Sequence, residues 1–312
     1  MRRNRLLYAS TILACLFSYL TACSQSDDRS LRLMTYNIQH GAGMDDVVDL
    51  DRQAAVIRDA MPDVVGLQEV DSVVKRSGYK NQAALFGQKL GMHATFGPAI
   101  PLTRGKYGVA ILSKEAPLSV RNIPLPGAEK RTLLVCEFQD YVFATTHLDL
   151  EEENRLASLP IIIEEADHWD KPFFICGDWN DKPSSTLISR IKRGFRILNY
   201  ITDNSANYTF PASVPTSIID YIASYSKAVK SVKSREVVNA PDASDHRPVV
   251  VEVTFNEDYI TGVAAPSAVA GEARAKECFD LSGHRMRNAA PRGIYIRNGK
   301  KVAAERGIGI RD

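Results

Sequence analysis

Six apolar runs of this chain lead into an acid, an amide or a histidine. "LRLMTYNI" (31–38) carries Asn37 near its end, and "DVVGLQEV" (63–70) carries Glu69. "YVFATTHL" (141–148) delivers His147, and "KPFFIC" (171–176) runs into "GDWND", which holds Asp178 and Asn180. Asp220 lies within "SIIDYIASY" (217–225), and Asp245 and His246 sit in "SDHRP", at the start of "RPVVVEVTF". Polar groups beside buried strands are costly unless they bind or react with something. One strand-end aspartate is ordinary turn chemistry. Six such sites predict strands whose ends meet at one polar centre.

The connecting segments narrow the fold. Leu50, Ala54, Ile57 and Met61 recur at helical spacing over 49–61, and Pro62 stops the run. Helices are also expected over 81–91, ending at a glycine, over 151–169 with a kink at Pro160, and over 185–194 with Gly194 as cap. Residues 107–113, 132–138 and 232–238 read as further strands, with a turn at Gln139–Asp140. Helices and β-rich runs alternate irregularly, which excludes regular βαβ winding. The expectation is an α/β fold, with two mixed sheets packed together and helices outside.

The termini read differently. "MRRNR" followed by "LLYASTILACLFSYL" has the basic and apolar regions of a signal peptide over 1–22. It closes on "LTAC", which resembles a bacterial lipobox, so Cys23 is the expected lipidation site and 23–30 a polar tether. Two acyl chains, at about 0.8 kcal/mol per buried CH2, anchor a protein stably. Residues 31–257 form the main domain, 258–271 an Ala/Gly/Ser/Pro linker, and 272–312 a small β-rich unit with turns at Ser282–Gly283 and Asn298–Gly299. Cys136 and Cys176 lie in apolar runs and no CxxC occurs, so they read as small buried hydrophobes. His93 and His168 read as surface or packing residues.

Charge limits the partners. The whole chain carries +2, but residues 23–271 hold 26 basic against 32 acidic residues, a net charge of −6. Binding to duplex nucleic acid rests on neutralised phosphates, so this balance disfavours it.

The strand-end set suits metal-assisted attack of water on phosphorus. Glu69, Asp245 and the Asn37 side-chain oxygen are hard donors of the kind Mg2+ takes, with Mn2+ as the alternative. His246 or Asp178 can accept the proton of the attacking water, and Asp220 can fix the His246 tautomer. His147 and Asn180 can hydrogen-bond the phosphate.

"TYNIQHG", "DVVGLQEVD", "YGVAILS", "TTHLD", "GDWND", "IDYI" and "SDHRPV", in this order, resemble the endonuclease/exonuclease/phosphatase superfamily over 31–255. That resemblance implies a four-layered α/β sandwich with the site at the top of two sheets. It implies Asn37 and Glu69 in a metal site, Asp245 at or near it, His147, Asp178 and Asn180 on phosphate and water, and Asp220 paired with His246. Several nucleases of the superfamily carry an aspartate where this chain has Gln39, which favours one metal. "NIQHG", "QEVD…RSG" and "LPG.E.R" resemble a bacterial subgroup, in which Arg131 and Arg104 are candidate contacts to substrate phosphate. The 272–312 unit resembles C-terminal sorting modules of secreted Bacteroidetes proteins.

The reading is a monomeric hydrolase of phosphoester bonds, a phosphodiesterase or phosphatase, anchored in the bacterial cell envelope and acting on lipid or sugar phosphoesters. An extracellular nuclease and a non-catalytic binding protein on the same fold are the alternatives. A binding protein would have no need of the full set of eight site residues.

Overall fold

The computed structural model describes residues 30–225 and 229–255, and the backbone of four short strands between 278 and 304. The expected signal peptide, the lipidated cysteine and the linker lie outside the described residues. The chain divides into two compact units, Met1–Ala264 and Ala265–Asp312.

Unit 1 contains two six-stranded mixed sheets. The first runs in the order β11 (Val229–Val237), β12 (Val249–Phe255), β1 (Ser30–Asn37), β2 (Val64–Ser72), β4 (Gly105–Ser113), β3 (His93–Leu102). The second runs β5 (Ser119–Leu125), β6 (Arg131–Glu137), β7 (Val142–His147), β8 (Phe173–Asp178), β10 (Asp220–Tyr225), β9 (Phe195–Ile197). β1 and β2 pair in parallel, as do β7 and β8, and the other neighbours are antiparallel.

Strand alternation sends one face of each sheet inward and the other toward helices. The inward faces meet in a shared core that includes Leu33, Val251, Leu134, Phe143 and Phe174. Outside the first sheet, α1 (Leu50–Ala60) and α2 (Gln82–Leu90) bury Leu50, Ala54, Ile57 and Phe86 with Met34, Tyr36 and Leu67. Outside the second, α3 (Glu152–Asp167) and α4 (Thr186–Ile191) bury Leu159, Ile162 and Ile188 with Val135 and Ile175. The result is helix, sheet, sheet, helix: the four-layered sandwich.

Local chemistry sets the helix ends. Asp49 accepts from the backbone N–H groups of Asp51 and Arg52 at the start of α1, and Asn81 and Ser185 cap α2 and α4. Gly91 closes α2 in the left-handed conformation. α4 ends at Ile191, before Gly194, so that glycine is not its cap. Pro160 lies inside α3. Among the described residues, no helix is long and apolar enough to cross a membrane.

The two sheets approach closely at Gly66. A Cβ there would stand 2.3 Å from Cys176 Sγ and 2.5 Å from Thr145 Oγ1. Beside it, a buried polar chain links the sheets: Thr35 Oγ1 donates to Gln68 Oε1 (3.2 Å), and Gln68 Nε2 donates to Thr145 Oγ1 (2.9 Å).

Unit 2 holds a four-stranded sheet, ordered β14 (Arg285–Met286), β13 (Cys278–Phe279), β15 (Gly293–Arg297), β16 (Lys300–Ala304). β15 and β16 pair antiparallel, with Arg297 opposite Lys300 across Asn298–Gly299.

Candidate active site

The strand ends meet where the two parallel pairs finish. β1 ends at Asn37, β7 at His147 and β8 at Asp178, while β10 begins at Asp220 directly opposite Asp178. Asp178 is the hub. Its Oδ2 accepts from Asn37 Nδ2 at 3.1 Å, which joins the sheets, and lies 3.5 Å from His147 Nε2 and 3.6 Å from His246 Nε2. Its Oδ1 accepts from the Asn180 backbone N–H at 2.9 Å.

Backbone geometry fixes this hub. Gly177 has φ 150°, and a Cβ there would fall 1.9 Å from the Thr146 carbonyl oxygen, so only glycine brings β8 so near β7 before the turn. Asn180 has φ 49°, and its side chain donates to the Leu148 carbonyl at 2.9 Å. The remainder of "GDWND" is structural. Trp179 is fully buried and stacked on Tyr221 at 4.8 Å, and Asp181 accepts from Arg155 Nε at 3.1 Å.

Glu69 is aimed by an irregularity in β2. The β2–β4 register shifts between Leu67 and Val70, and Glu69 takes φ 61°. Such a bulge re-aims a side chain. Asn37 Nδ2 donates to Glu69 Oε1 at 3.1 Å, while Asn37 Oδ1 accepts from the Gln39 backbone N–H at 3.1 Å. The Asn37 oxygen, the expected metal ligand, faces the Gln39 backbone in this arrangement, while the nitrogen faces the two carboxylates. An amide between two carboxylates presents its nitrogen to them, so Asn37 is a donor holding Glu69 and Asp178 together.

The loop before β12 supplies the rest. Ser244 Oγ donates to the Asn37 carbonyl at 2.7 Å, which ties this loop to the end of β1. His246 Nδ1 lies 3.0 Å from Asp220 Oδ2, and the Phe210 ring packs on the imidazole at 4.7 Å.

Electrostatics separates the two histidines. Burial pushes His147 down to about 4; the Asp178 charge opposes this, while Arg131 and His246 reinforce it. At neutral pH it is an uncharged imidazole whose Nδ1 is buried without a partner. Burial also works against charge on His246, but Asp220, Asp178 and Asp245 outweigh it and lift it to about 10. His246 is then an imidazolium between two carboxylates. Burial raises the Glu69 carboxyl; the Asn37 hydrogen bond partly offsets this, and the Asp245 and Asp178 charges raise it further.

Two groupings can be considered for a cation. Asp178, Asp220 and His246 place one potential ligand atom each within 4.8 Å of one another. Its histidine is paired with Asp220 through Nδ1, and without a cation its surroundings favour the protonated form, so a metal there would have to displace the Nε2 proton. Glu69, Asp245 and Asp178 interact through their charges, and an added cation would relieve the burial and repulsion on Glu69. These are hard oxygen donors, which fit a divalent ion such as Mg2+.

The two candidate arginines are placed differently. Arg131 is 7% exposed, with Nη1 at 3.0 Å from Glu129 Oε1 and Nε, which makes no hydrogen bond, at 3.9 Å from Asp149 Oδ2. Arg104 is exposed at the tip of the β3–β4 hairpin, where neighbouring Thr103 Oγ1 accepts from the Lys75 backbone N–H. Gln53, Asp71, Arg76 and Tyr107 support or border the centre and went unread in the sequence. Gln53 donates to the carbonyls of Ile38 (2.9 Å), Ala42 (3.2 Å) and Ala243 (2.8 Å). The only signal for it was a polar residue on the apolar face of α1.

A buried carboxylate–imidazole–carboxylate row, Asp178, His246 and Asp220, thus stands at the strand ends of a four-layered α/β sandwich. The model of the endonuclease/exonuclease/phosphatase family matches residues 34–246. The chain belongs to that family, whose members include phosphatases and nucleases. No curated protein matches it by sequence. Among solved structures, it is similar to an endonuclease/exonuclease/phosphatase from Beutenbergia cavernae, at 21% identity and a TM-score of 0.63, covering 89% of this chain and 94% of that one. One from Bacteroides vulgatus gives 22% and 0.60, covering 73% and 100%. A mannosyl-6-phosphatase of Bacteroides thetaiotaomicron gives 18% and 0.56, covering 72% and 100%. At these identities the likeness is one of fold.

Proposed function

We propose that the protein is a Mg2+-dependent hydrolase of phosphoester bonds, acting on lipid or sugar phosphoesters. One observation carries the reading: Asp178 Oδ2 lies within 3.6 Å of two histidines whose surroundings push them in opposite directions, His147 toward the neutral form and His246 toward the cation. A centre that only bound a ligand would have no use for a carboxylate poised between a neutral donor and an acid. Glu69 and Asp245 would hold the metal, which when bound supplies positive charge to the phosphoryl oxygen and the leaving group.

The chain's own groups perform the other tasks. Asp178 orients the attacking water and takes its proton, because His246 is already protonated. The His246 imidazolium, fixed by Asp220 and covered by Phe210, stabilises the negative phosphoryl oxygens and supplies a proton to the departing oxygen. His147, uncharged, donates a hydrogen bond to the phosphate. Asn37, donating to both, holds Glu69 and Asp178 together and aimed at the centre.

The choice of lipid or sugar over nucleic acid rests on the net charge of −6 over residues 23–271 and on the lipobox at Cys23, which would anchor the protein in a bacterial envelope. The similar fold of a mannosyl-6-phosphatase supports the sugar branch. The test is hydrolysis by the purified full-length chain of bis-p-nitrophenyl phosphate, p-nitrophenyl phosphate, mannose 6-phosphate, sphingomyelin and plasmid DNA, each with Mg2+ and with EDTA. Mg2+-dependent cleavage of one of the non-nucleic substrates is expected. Cleavage of DNA alone would move the assignment to a nuclease, and absence of both cleavage and Mg2+ binding would move it to a binding protein.

A further inference from the structure

Beside the carboxylate centre one guanidinium is fixed in place with donors unused. Arg76 lies in the loop after β2. Its Nε and Nη2 donate to Asp71 Oδ2 and Oδ1 at 2.8 and 2.9 Å. Asp71 is fully buried and lies two residues beyond Glu69 on the same strand. Arg76 Cζ also stands 5.3 Å from the centroid of the Tyr107 ring, and Tyr107 is the cross-strand partner of Asp71. A fork on one side and an aromatic face on the other leave the guanidinium little freedom.

That rigidity exceeds what the buried Asp71 needs, since a lysine would also neutralise it. Among the described residues Nη1 of Arg76 makes no hydrogen bond, and the side chain is 41% exposed. Glu69 acts electrostatically on Arg76 and Tyr107, and Arg131 acts on Tyr107 as well as on His147, so the pair borders the same centre. The loop is braced from beneath: Gln82 Oε1 accepts from the Asp71 backbone N–H at 2.8 Å, and Gln82 Nε2 donates to the His40 carbonyl.

We propose that Arg76, backed by Tyr107, binds a second oxyanion of the substrate, a carboxylate or phosphate near the phosphoester that is cleaved, and so sets substrate choice. The inference rests on the phosphoester reading above for the group bound at Asp178. Guanidinium pairing with such oxyanions is charge-assisted and directional, which gives selectivity as well as affinity.

Calorimetric binding to the full-length chain with Ca2+ in place of Mg2+ tests it. One ligand pair is phosphoserine against phosphoethanolamine, which lacks the carboxylate. The other is glucose 1,6-bisphosphate against glucose 6-phosphate, which lacks the second phosphate. In at least one pair the second oxyanion should tighten binding about tenfold, and the pair that responds identifies the group. Arg76→Gln should reduce that preference to about twofold or less, while Arg76→Lys keeps part of it. Should Arg76→Gln fail to fold, Asp71→Asn/Arg76→Gln leaves no buried charge unpaired and is read in its place. Absence of preference in both pairs, or a preference that survives these variants, would overturn the inference. Hydrolysis of bis-p-nitrophenyl phosphate, which carries no second oxyanion, is measured alongside. Hydrolysis of p-nitrophenyl phosphate, a monoester without a second oxyanion, is measured with it; absence of both hydrolyses with the preference intact defeats the phosphoester reading alone, and either hydrolysis without a preference defeats the oxyanion site alone.

Discussion

At the scale of single residues, the account turns on how one environment divides two histidines. Both are buried and both face Asp178, yet only His246 has further carboxylates behind it, Asp220 at 3.0 Å and Asp245 in the adjoining position. The sign of the resulting pH dependence differs between them. His246 has its pKa raised in the folded protein, so in EDTA its contribution to stability is complete below about 6.5 and is lost as pH rises toward about 10. His147 has its pKa lowered toward about 4, so the unfolded chain binds the extra proton and stability falls as pH drops from about 6.5 to 4. Thermal melts of the metal-free protein across pH 4–10 should therefore show maximum stability near neutrality. His246→Gln should flatten the alkaline arm and leave the acid arm; an unchanged alkaline arm would remove the imidazolium from the account. Glu69→Gln should abolish the rise in melting temperature that Mg2+ produces by binding the folded state. A Mg2+-induced rise that persists in this variant would move the cation to Asp178, Asp220 and His246.

At the scale of elements, α1 connects the two loops that carry the centre. Gln53 satisfies three buried carbonyls, two in the segment after β1 and one in the loop before Asp245. Gln53→Leu removes the donor to the Ala42 and Ala243 carbonyls, while Ile38 keeps the Gly41 N–H, and should cost about 2–3 kcal/mol in chemical denaturation, at roughly 1 kcal/mol per lost partner. Loss of Mg2+ affinity should accompany it, because Asp245 is then less firmly placed. Strands inside the sheets were legible in the sequence, and three at the edges were not. β3 contains Pro98 and Pro101, β5 contains Pro124, and β9 has three residues. Proline withholds a ladder donor and so belongs at edges, where burial leaves a weaker apolar signal. The same reasoning explains the site. Asn37, Glu69, His147, Asp178, Asp220 and His246 stood out because polar groups beside apolar runs need a purpose. Gln53 acts through contacts made only when distant segments meet, and Arg76, though paired with Asp71 five residues before it, is placed by Tyr107 on a neighbouring strand, a contact that spacing along the chain does not show.

At the scale of the whole molecule, the sandwich brings two half-sites together, one from each sheet. Asn37 and Glu69 come from the first; His147, Asp178 and Asp220 come from the second; Asp245 and His246 close over them from the loop before β12. The sheets are held in register where Gly66 meets Cys176 and Thr145. Gly66→Ala should therefore destabilise the fold and lower hydrolysis together, whereas a change at the centre should lower hydrolysis alone. Asp178 is the residue at which the two half-sites join, and it separates these cases most clearly. The decisive measurement is the rate of Mg2+-dependent hydrolysis of bis-p-nitrophenyl phosphate by Asp178→Asn beside the unaltered protein, with a thermal melt of each. The account predicts a native-like melt and a rate lower by about a thousandfold or more, as expected when a residue that moves the proton is lost. A rate within about tenfold of the unaltered protein, with the fold intact, would show that Asp178 neither orients the water nor takes its proton.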